Sequence, residues 1–268
     1  MEYMEQQYAI CRVAVAPLRT EPSDKAEIGS QLLFGDHVEV MEKQERWWHL
    51  RSALDRYEGW SDPKQLAPLS SDQYAAAHRC KNLVPVAPLN VAKDNRGNCY
   101  YLSPGSSLPD YQDGRCLIGN EVFELDFKPK QVDSTALPSG ERTEAIITDA
   151  QFFLNAPYLW GGRNLFGIDC SGLTQVVFKL NGISLNRDAW QQAEQGTVVD
   201  FLQEAQSGDL AFFDNAEGRI IHVGIMISND KILHASGKVR QDYIDNQGIY
   251  NEELGRYTHK LRIIKRFT

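Results

Sequence analysis

Cys170 follows an aspartate and opens the segment DCSGLTQVVFKLNG (169–182), in which Leu173, Val176, Val177 and Leu180 recur at i, i+3, i+4 and i+7. That spacing predicts one buried face of a helix. Asp169 is a good N-cap, and Asn181-Gly182 a good stop. The cysteine then lies in the first turn, where unpaired backbone N–H groups and the helix dipole favour an anion. A thiol so placed is expected to have a lowered pKa and to act as a nucleophile. Gly161, Gly162, Gly167 and Gly172 around it would let backbone come close to a ligand. The plainer reading is a small core residue, because Cys170 is three positions from Leu173 and lies near the same stripe.

A nucleophilic cysteine needs a base within hydrogen-bond reach. Of the six histidines, His37, His49 and His78 fall in segments that suggest surface or packing roles. His222 opens the alternating run HVGIMI and shares a face with Gly224. His234 sits on the next strand candidate, KILHAS (231–236). A loop of Ser228 to Asp230 would put His234 opposite Gly224, diagonal to His222 on the same face. A two-residue loop would turn it to the other face. Two histidines that meet this way can act as base and orienter. The competing reading is two half-exposed strand histidines. Zinc held by Cys170, His222 and His234 is a third, but it lacks a fourth ligand and a closely spaced ligand pair. No metal or other cofactor is expected.

The elements that must position these residues occupy the second half of the chain. ERTEAIITDAQFFLNA (141–156) has a broadly helical period and is stopped by Pro157. The Gly-rich stretch YLWGGRNLFGIDC leads into the cysteine helix. Beyond it lie strand candidates at 209–213, 222–227, 231–236 and 259–267. Helices followed by an antiparallel sheet make an α+β arrangement.

The first half reads differently. VAVAPLR (13–19) and VPVAPLN (84–90) agree at five of seven positions, 71 residues apart. Each opens a series of short apolar runs separated by Gly, Pro, Asn and Asp. Two tandem small β-barrels are therefore expected. KPKQVDSTALPSGER (128–142) reads as a linker. The division is 1–70, 71–132 and 133–268.

The 268 residues carry a net charge of −8 and show no Lys/Arg block, which argues against nucleic acid or an anionic membrane as partner. No apolar run is long enough to span a bilayer. The opening MEYMEQQYAICRVAV is acidic where a signal peptide is basic, so a cytoplasmic address is expected. Five cysteines with no C-x-x-C spacing suggest neither a disulfide framework nor a zinc ribbon. Cys11, Cys80, Cys99 and Cys116 are expected as reduced, mostly buried thiols.

The ordered pieces YLWGGR (158–163), DCSG (169–172), RDAWQQ (187–192), GDLAFF (208–213), HVGI (222–225) and LHAS (233–236) resemble the NlpC/P60 family of papain-like cysteine peptidases. They span about 80 residues in the family's order. The resemblance implies Cys170 as nucleophile, His222 as general base and His234 as third polar member. It places Tyr158 and Ser171 beside the reaction centre. LRTEPSDKAEIGSQLLFGD (18–36) and YEGW (57–60) look like the first of two bacterial SH3-like barrels in a three-domain subgroup of γ-D-glutamyl-L-diamino acid peptidases. The resemblance implies a muropeptide substrate with a free N-terminal L-Ala, then γ-D-Glu, then meso-diaminopimelate or Lys. Cleavage after γ-D-Glu would release L-Ala-γ-D-Glu in murein peptide recycling. Asp188 is the candidate for the substrate amine in the last domain, with Glu21 and Tyr57 from the first barrel. Glu27 remains an alternative to Glu21. Trp160 and Asp169 would shape the near side, although for Asp169 capping the helix could be its whole role. A monomer is expected. The rival readings are a wall-fragment binding module without catalysis and an amidase or acyltransferase on the same fold.

Overall fold

The computed structural model describes residues 7–132 and 139–268. The chain forms two compact units, Met1–Val132 and Asp133–Thr268. Among the described residues no helix is long and apolar enough to cross a membrane.

In the N-terminal unit, strands β1 (Gln7–Cys11), β2 (Val15–Arg19), β3 (Ile28–Leu33), β4 (His37–Lys43), β5 (Trp48–Ser52), β6 (Glu58–Ser61) and β7 (Leu66–Leu69) form one antiparallel sheet. Its order is β3-β2-β6-β5-β4-β1-β7. Alternation along the strands sends Ala9, Cys11, Ala16, Leu18, Val38 and Leu50 into one core. Helix α1 (Ser71–His78) follows, its first turn closed by Ser70 and Gln73 in a capping box. Then come β8 (Asn82–Leu83), β9 (Val91–Lys93), β10 (Cys99–Tyr101), β11 (Arg115–Ile118), β12 (Glu121–Leu125) and β13 (Lys130–Gln131). Four of these make a second sheet, β10-β9-β12-β11, while β13 pairs with β8. Ile10, Phe34 and Ala67 from the first segment share a hydrophobic cluster with Val84, Leu108, Ile118 and Phe123 from the second. The two segments thus pack as one unit.

The internal repeat does not survive as repeated structure. The first copy contains β2, whereas Val84–Asn90 is irregular backbone. Its Val84 N–H and C=O pair with Ser106 and Gly105 of a neighbouring turn. The thiols also depart from expectation: all five are free, and Cys11 and Cys116 are buried, but Cys80 is half-buried and Cys99 exposed. Cys99 lies in β10, an edge strand, which leaves one side uncovered.

The C-terminal unit opens with α2 (Ser139–Phe152), which begins inside the segment expected as linker. Residues 133–138 of that segment lie outside the described residues. A small hairpin, β14 (Arg163–Asn164) and β15 (Gly167–Ile168), leads into α3 (Cys170–Lys179), and α4 (Ala189–Gln192) follows. Then come β16 (Thr197–Val199), β17 (Leu210–Asp214), β18 (Ile220–Met226), β19 (Lys231–Ser236), β20 (Lys238–Asp245), β21 (Gly248–Asn251) and β22 (Arg256–Arg266). Every pairing among β16 to β22 is antiparallel.

The expected sheet closes on itself. From β17 through β21 the strands are neighbours in chain order, and β22 pairs with both β21 and β17. Six strands therefore form a ring, with β16 added outside β22. Two of the six, β20 and β21, were not anticipated, and the unit carries more sheet than helix. One face of the ring encloses Ala211, Phe213, Met226, Ile232, Ile244, Ile249 and Ile264.

Candidate active site

Residues 169–172 fold as their types dictate. The Asp169 side chain caps α3 by accepting from the Gly172 N–H at 2.6 Å. Cys170 is the first helical residue and is buried. The loop before it lies directly against the helix start: a Cβ on Gly172 would come within 2.2 Å of the Gly162 carbonyl oxygen, and one on Gly162 within 2.3 Å of Gly167 O. Only glycine permits this approach.

Asp169 is more than a cap. Oδ1 accepts from Gly172 N–H, the Ser171 hydroxyl (3.3 Å) and Arg187 Nη1 (3.1 Å), while Oδ2 accepts from Gly161 N–H (2.8 Å) and Arg187 Nη2 (2.6 Å). Arg187 Nη1 also donates to Ser171 Oγ at 2.8 Å. Both partners are buried. One carboxylate thus ties the Gly-rich loop, the helix start and the segment before α4 together. Arg187 opens the RDAWQQ segment, and nothing in that segment's sequence marks it for this role. A buried fork–fork pair depends on what the fold brings opposite Asp169. Gln192 adds a second tie, donating to the Ser171 and Asn186 carbonyls and accepting from Thr174.

The histidines come from the ring. The register pairs Gly224 with His234, as the Ser228–Asp230 loop requires. His222, Gly224 and Met226 alternate onto the enclosed face, with Ile232 and His234 from β19. His222 Nε2 lies 2.8 Å from His234 Nδ1, and His234 Nε2 lies 2.9 Å from Asp242 Oδ2. Gly224 leaves the room: a Cβ there would meet the His234 Cβ at 2.9 Å. The backbone N–H groups of Val223, the neighbour of His222, and of Ser171 lie close enough to the Cys170 sulfur to favour its ionised form. Helix α3, which begins at Cys170, packs against β18, which carries His222, and His222 is joined to His234.

His259, from β22, completes the cluster and was not anticipated. Its ring stacks on His222 with centroids 4.1 Å apart and 26° between planes. Ring nitrogens of His222, His234 and His259 lie within 4.8 Å of one another. Nearly parallel stacked rings direct their in-plane lone pairs along separate planes, and His222 and His234 are already joined to each other. The arrangement suits a hydrogen-bonded relay rather than tetrahedral coordination of one ion.

Burial sets the charge state. It pushes the Cys170 thiol up to about 12, and the Asp169 carboxylate adds to this. The Val223 and Ser171 N–H groups and the Arg187 guanidinium pull the other way without overcoming it. The lowered pKa expected at a helix start is thus outweighed by desolvation. Burial, then His234 and His259, hold His222 well below the ordinary imidazole value. Burial also lowers His234, although Asp242 opposes it. Burial thus favours the neutral form of each of these groups, the protonated thiol at Cys170 and the uncharged imidazole at His222 and His234.

The remaining candidates divide by unit. Tyr158 lies near Cys170, Asp169 and Arg187, and burial followed by Cys170 pushes its hydroxyl up to about 12. Its N–H donates to the Gly237 carbonyl, and its backbone bridges Ile168. Trp160 is exposed on the same loop. Asp188, half-buried, is the N-cap of α4. Glu21, Glu27 and Tyr57 belong to the N-terminal unit. Glu21 and Glu27 are exposed on one loop, closed by the Thr20 N–H on the Glu27 carbonyl (3.0 Å). The half-buried Tyr57 packs against the first core.

The NlpC/P60 family model matches residues 155–257, and that of the bacterial dipeptidyl-peptidase SH3 domain matches residues 18–66. The chain is 42% identical over 241 residues to the γ-D-glutamyl-L-lysine dipeptidyl-peptidase of Bacillus subtilis (strain 168), covering 85% of this chain and 79% of that protein. It is 26% identical over 272 residues to dipeptidyl-peptidase 6 of Lysinibacillus sphaericus, covering 92% and 95%. In fold it is similar to the crystal structure of an NlpC/P60 family protein from Bacillus cereus ATCC 10987. The TM-score is 0.79 at 21% identity, over 97% of this chain and 99% of that one.

Proposed function

This chain belongs to the NlpC/P60 family of cysteine peptidases, and from that premise we propose that it hydrolyses the bond after γ-D-Glu in peptidoglycan-derived peptides. The substrate we infer is L-Ala-γ-D-Glu followed by meso-diaminopimelate or Lys, with the L-Ala amine free. The observation that carries the reading is a buried thiol at the start of a helix packed against β18, whose His222 is joined to a second histidine at 2.8 Å. Similarity to a γ-D-glutamyl-L-lysine dipeptidyl-peptidase and to dipeptidyl-peptidase 6 supports the bond type.

In the proposed course, His222 takes the Cys170 proton as the sulfur attacks the γ-carbonyl carbon. The oxyanion is held by the Cys170 N–H. The tetrahedral species collapses by breaking the C–N bond, and His222 gives the proton to the departing diamino-acid nitrogen. Water then attacks the thioester, His222 takes its proton, and the sulfur leaves and is reprotonated. His234 orients His222 throughout.

Tyr158, Trp160 and Asp188 are proposed to contact substrate, Asp188 through the free amine. Ser171 and Asp169 act by shaping the site, since their polar atoms are engaged with Arg187. A free-amine requirement suits turnover of released fragments, that is, recycling.

The test is hydrolysis of L-Ala-γ-D-Glu-meso-diaminopimelate, its Lys counterpart and their N-acetylated copies. Cleavage of only the free-amine peptides is expected, with Cys170→Ala folded and inactive. Equal cleavage of the acetylated copies would remove the amine requirement. Failure to cut any of them, or activity retained by Cys170→Ala, would remove the mechanism.

A further inference from the structure

The relay does not stop at His234. Asp242, on β20, is buried and accepts at Oδ2 from His234 Nε2 (2.9 Å) and Arg240 Nε (2.7 Å), and at Oδ1 from Arg240 Nη2 (2.8 Å). Arg240 Nη1 reaches Glu253 at 3.1 Å. Asp242 lies two residues before Ile244, which faces the enclosed core, and so shares the face of His222 and His234. We propose that Asp242, clamped by Arg240, is a positioning residue that fixes the proton placement of both histidines and makes the working group Cys170–His222–His234–Asp242.

The inference follows from donor and acceptor counting along the chain of contacts. Arg240 offers only donors, so the group facing it is the ionised carboxylate, which can only accept. His234 Nε2 must then carry the proton, and its Nδ1 is left as an acceptor. That Nδ1 faces His222 Nε2, which must therefore be the donor. His222 Nδ1 is left with its lone pair free, the form a base needs to take the thiol proton. Remove the carboxylate and the order is no longer fixed: a proton on His234 Nδ1 forces one onto His222 Nδ1, which then cannot act as base. This is the logic by which an aspartate sets a histidine in a triad, carried one ring further.

The inference rests on the proposed roles of His222 and His234, yet it can be read without turnover. Long-range ¹H–¹⁵N correlation on [¹⁵N-His]-labelled protein at neutral pH reports which ring nitrogen bears hydrogen. Nε2–H is expected for both His222 and His234 in the wild-type chain. In Asp242→Ala, mixed or Nδ1–H signals are expected, with kcat reduced at least about tenfold and KM within about threefold. Asp242→Glu, which keeps an accepting carboxylate, should recover part of kcat. Glu253→Gln, which touches only the outer side of Arg240, should leave both readouts unchanged. The proposal is overturned if wild-type His234 carries its proton on Nδ1, a result that needs no variant to fold. It is equally overturned if Asp242→Ala keeps both rings as Nε2–H or keeps kcat within threefold of wild type. An inactive wild-type chain with both rings as Nε2–H would instead count against the peptide substrate alone.

Discussion

Replacing Arg187 by Met tests whether the Asp169–Arg187 pair holds the site together. Both side chains are almost completely buried, and Arg187 supplies two of the hydrogen bonds to the Asp169 carboxylate. Met fills much of the same space but leaves that carboxylate as an uncompensated charge. Breaking one side of a buried pair costs about 3–5 kcal/mol. For a unit the size of Asp133–Thr268 that corresponds to a fall in Tm of roughly 10–17 °C if it unfolds as one step. Differential scanning calorimetry and urea unfolding at pH 7 measure it. The double variant Asp169→Asn/Arg187→Met should recover a substantial part of the loss, because it removes the stranded charge. It should not recover activity, since the tie between the Gly-rich loop and the Cys170 turn is still weakened. Arg187→Lys should be intermediate: it keeps the charge but cannot span both Asp169 oxygens and Ser171 Oγ. A loss below about 1 kcal/mol in Arg187→Met, or a double variant no more stable than the single one, would refute the reasoning.

Gly224→Ala should lower stability by about 1–3 kcal/mol and activity together. Its new methyl would press on the His234 Cβ at 2.9 Å and on Ile232 Cδ1 at 2.7 Å; crystallography of the variant should show His234 displaced from His222. His259→Phe keeps a stacking ring over His222 and should retain most of kcat, whereas His259→Ala should lose more; equal losses in steady-state assays would argue against a role for the stack. Stability should also fall on acidification. His222, His234 and His259 all sit below the ordinary imidazole value, His259 at about 4, so the unfolded chain takes up protons first. Stability is therefore fully present above about pH 6.5 and declines as pH falls towards 4, by at most about 1.4 kcal/mol per pH unit for each histidine. Urea titrations across that window should show His259→Phe with the shallower decline.

The cysteine helix and the pairing of β18 with β19 were legible because each follows from a local rule. The apolar spacing from Leu173 to Leu180 specifies one helix face, and the loop length between Ile227 and Lys231 specifies which face receives His234. Asp242 and His259 were not legible. In KVRQDYID the polar Arg240 and Asp242 break the alternation that marks a strand, because Asp242 occupies an inward position where an apolar residue is expected. Its partners come from another strand and from the clamp of Arg240, neither of which has a sequence signature. His259 needed the knowledge that β22 returns beside β21, which comes from ring closure rather than from the segment itself. Arg187 is the same case across loops. The expectation of an acidified thiol failed for a different reason: the helix end was visible in the sequence, but the depth of burial around Cys170 was not.

The closed ring has a consequence for the order in which the protein becomes active. β22 is the last of its six strands to be synthesised, and it pairs with both β17 and β21. Until Arg256–Arg266 has emerged and docked, β17 and β21 each have an open edge, and His222 lacks the ring of His259 against its face. A chain still being made thus carries Cys170, His222 and His234 for some time without the closure of the ring around the two histidines. Because β17 and β22 are far apart in sequence, that closure is also among the slower contacts to form. On the proposed roles of Cys170 and His222, peptidase competence comes late, coupled to closure of the ring, and removing β22 should silence the enzyme as fully as removing the thiol.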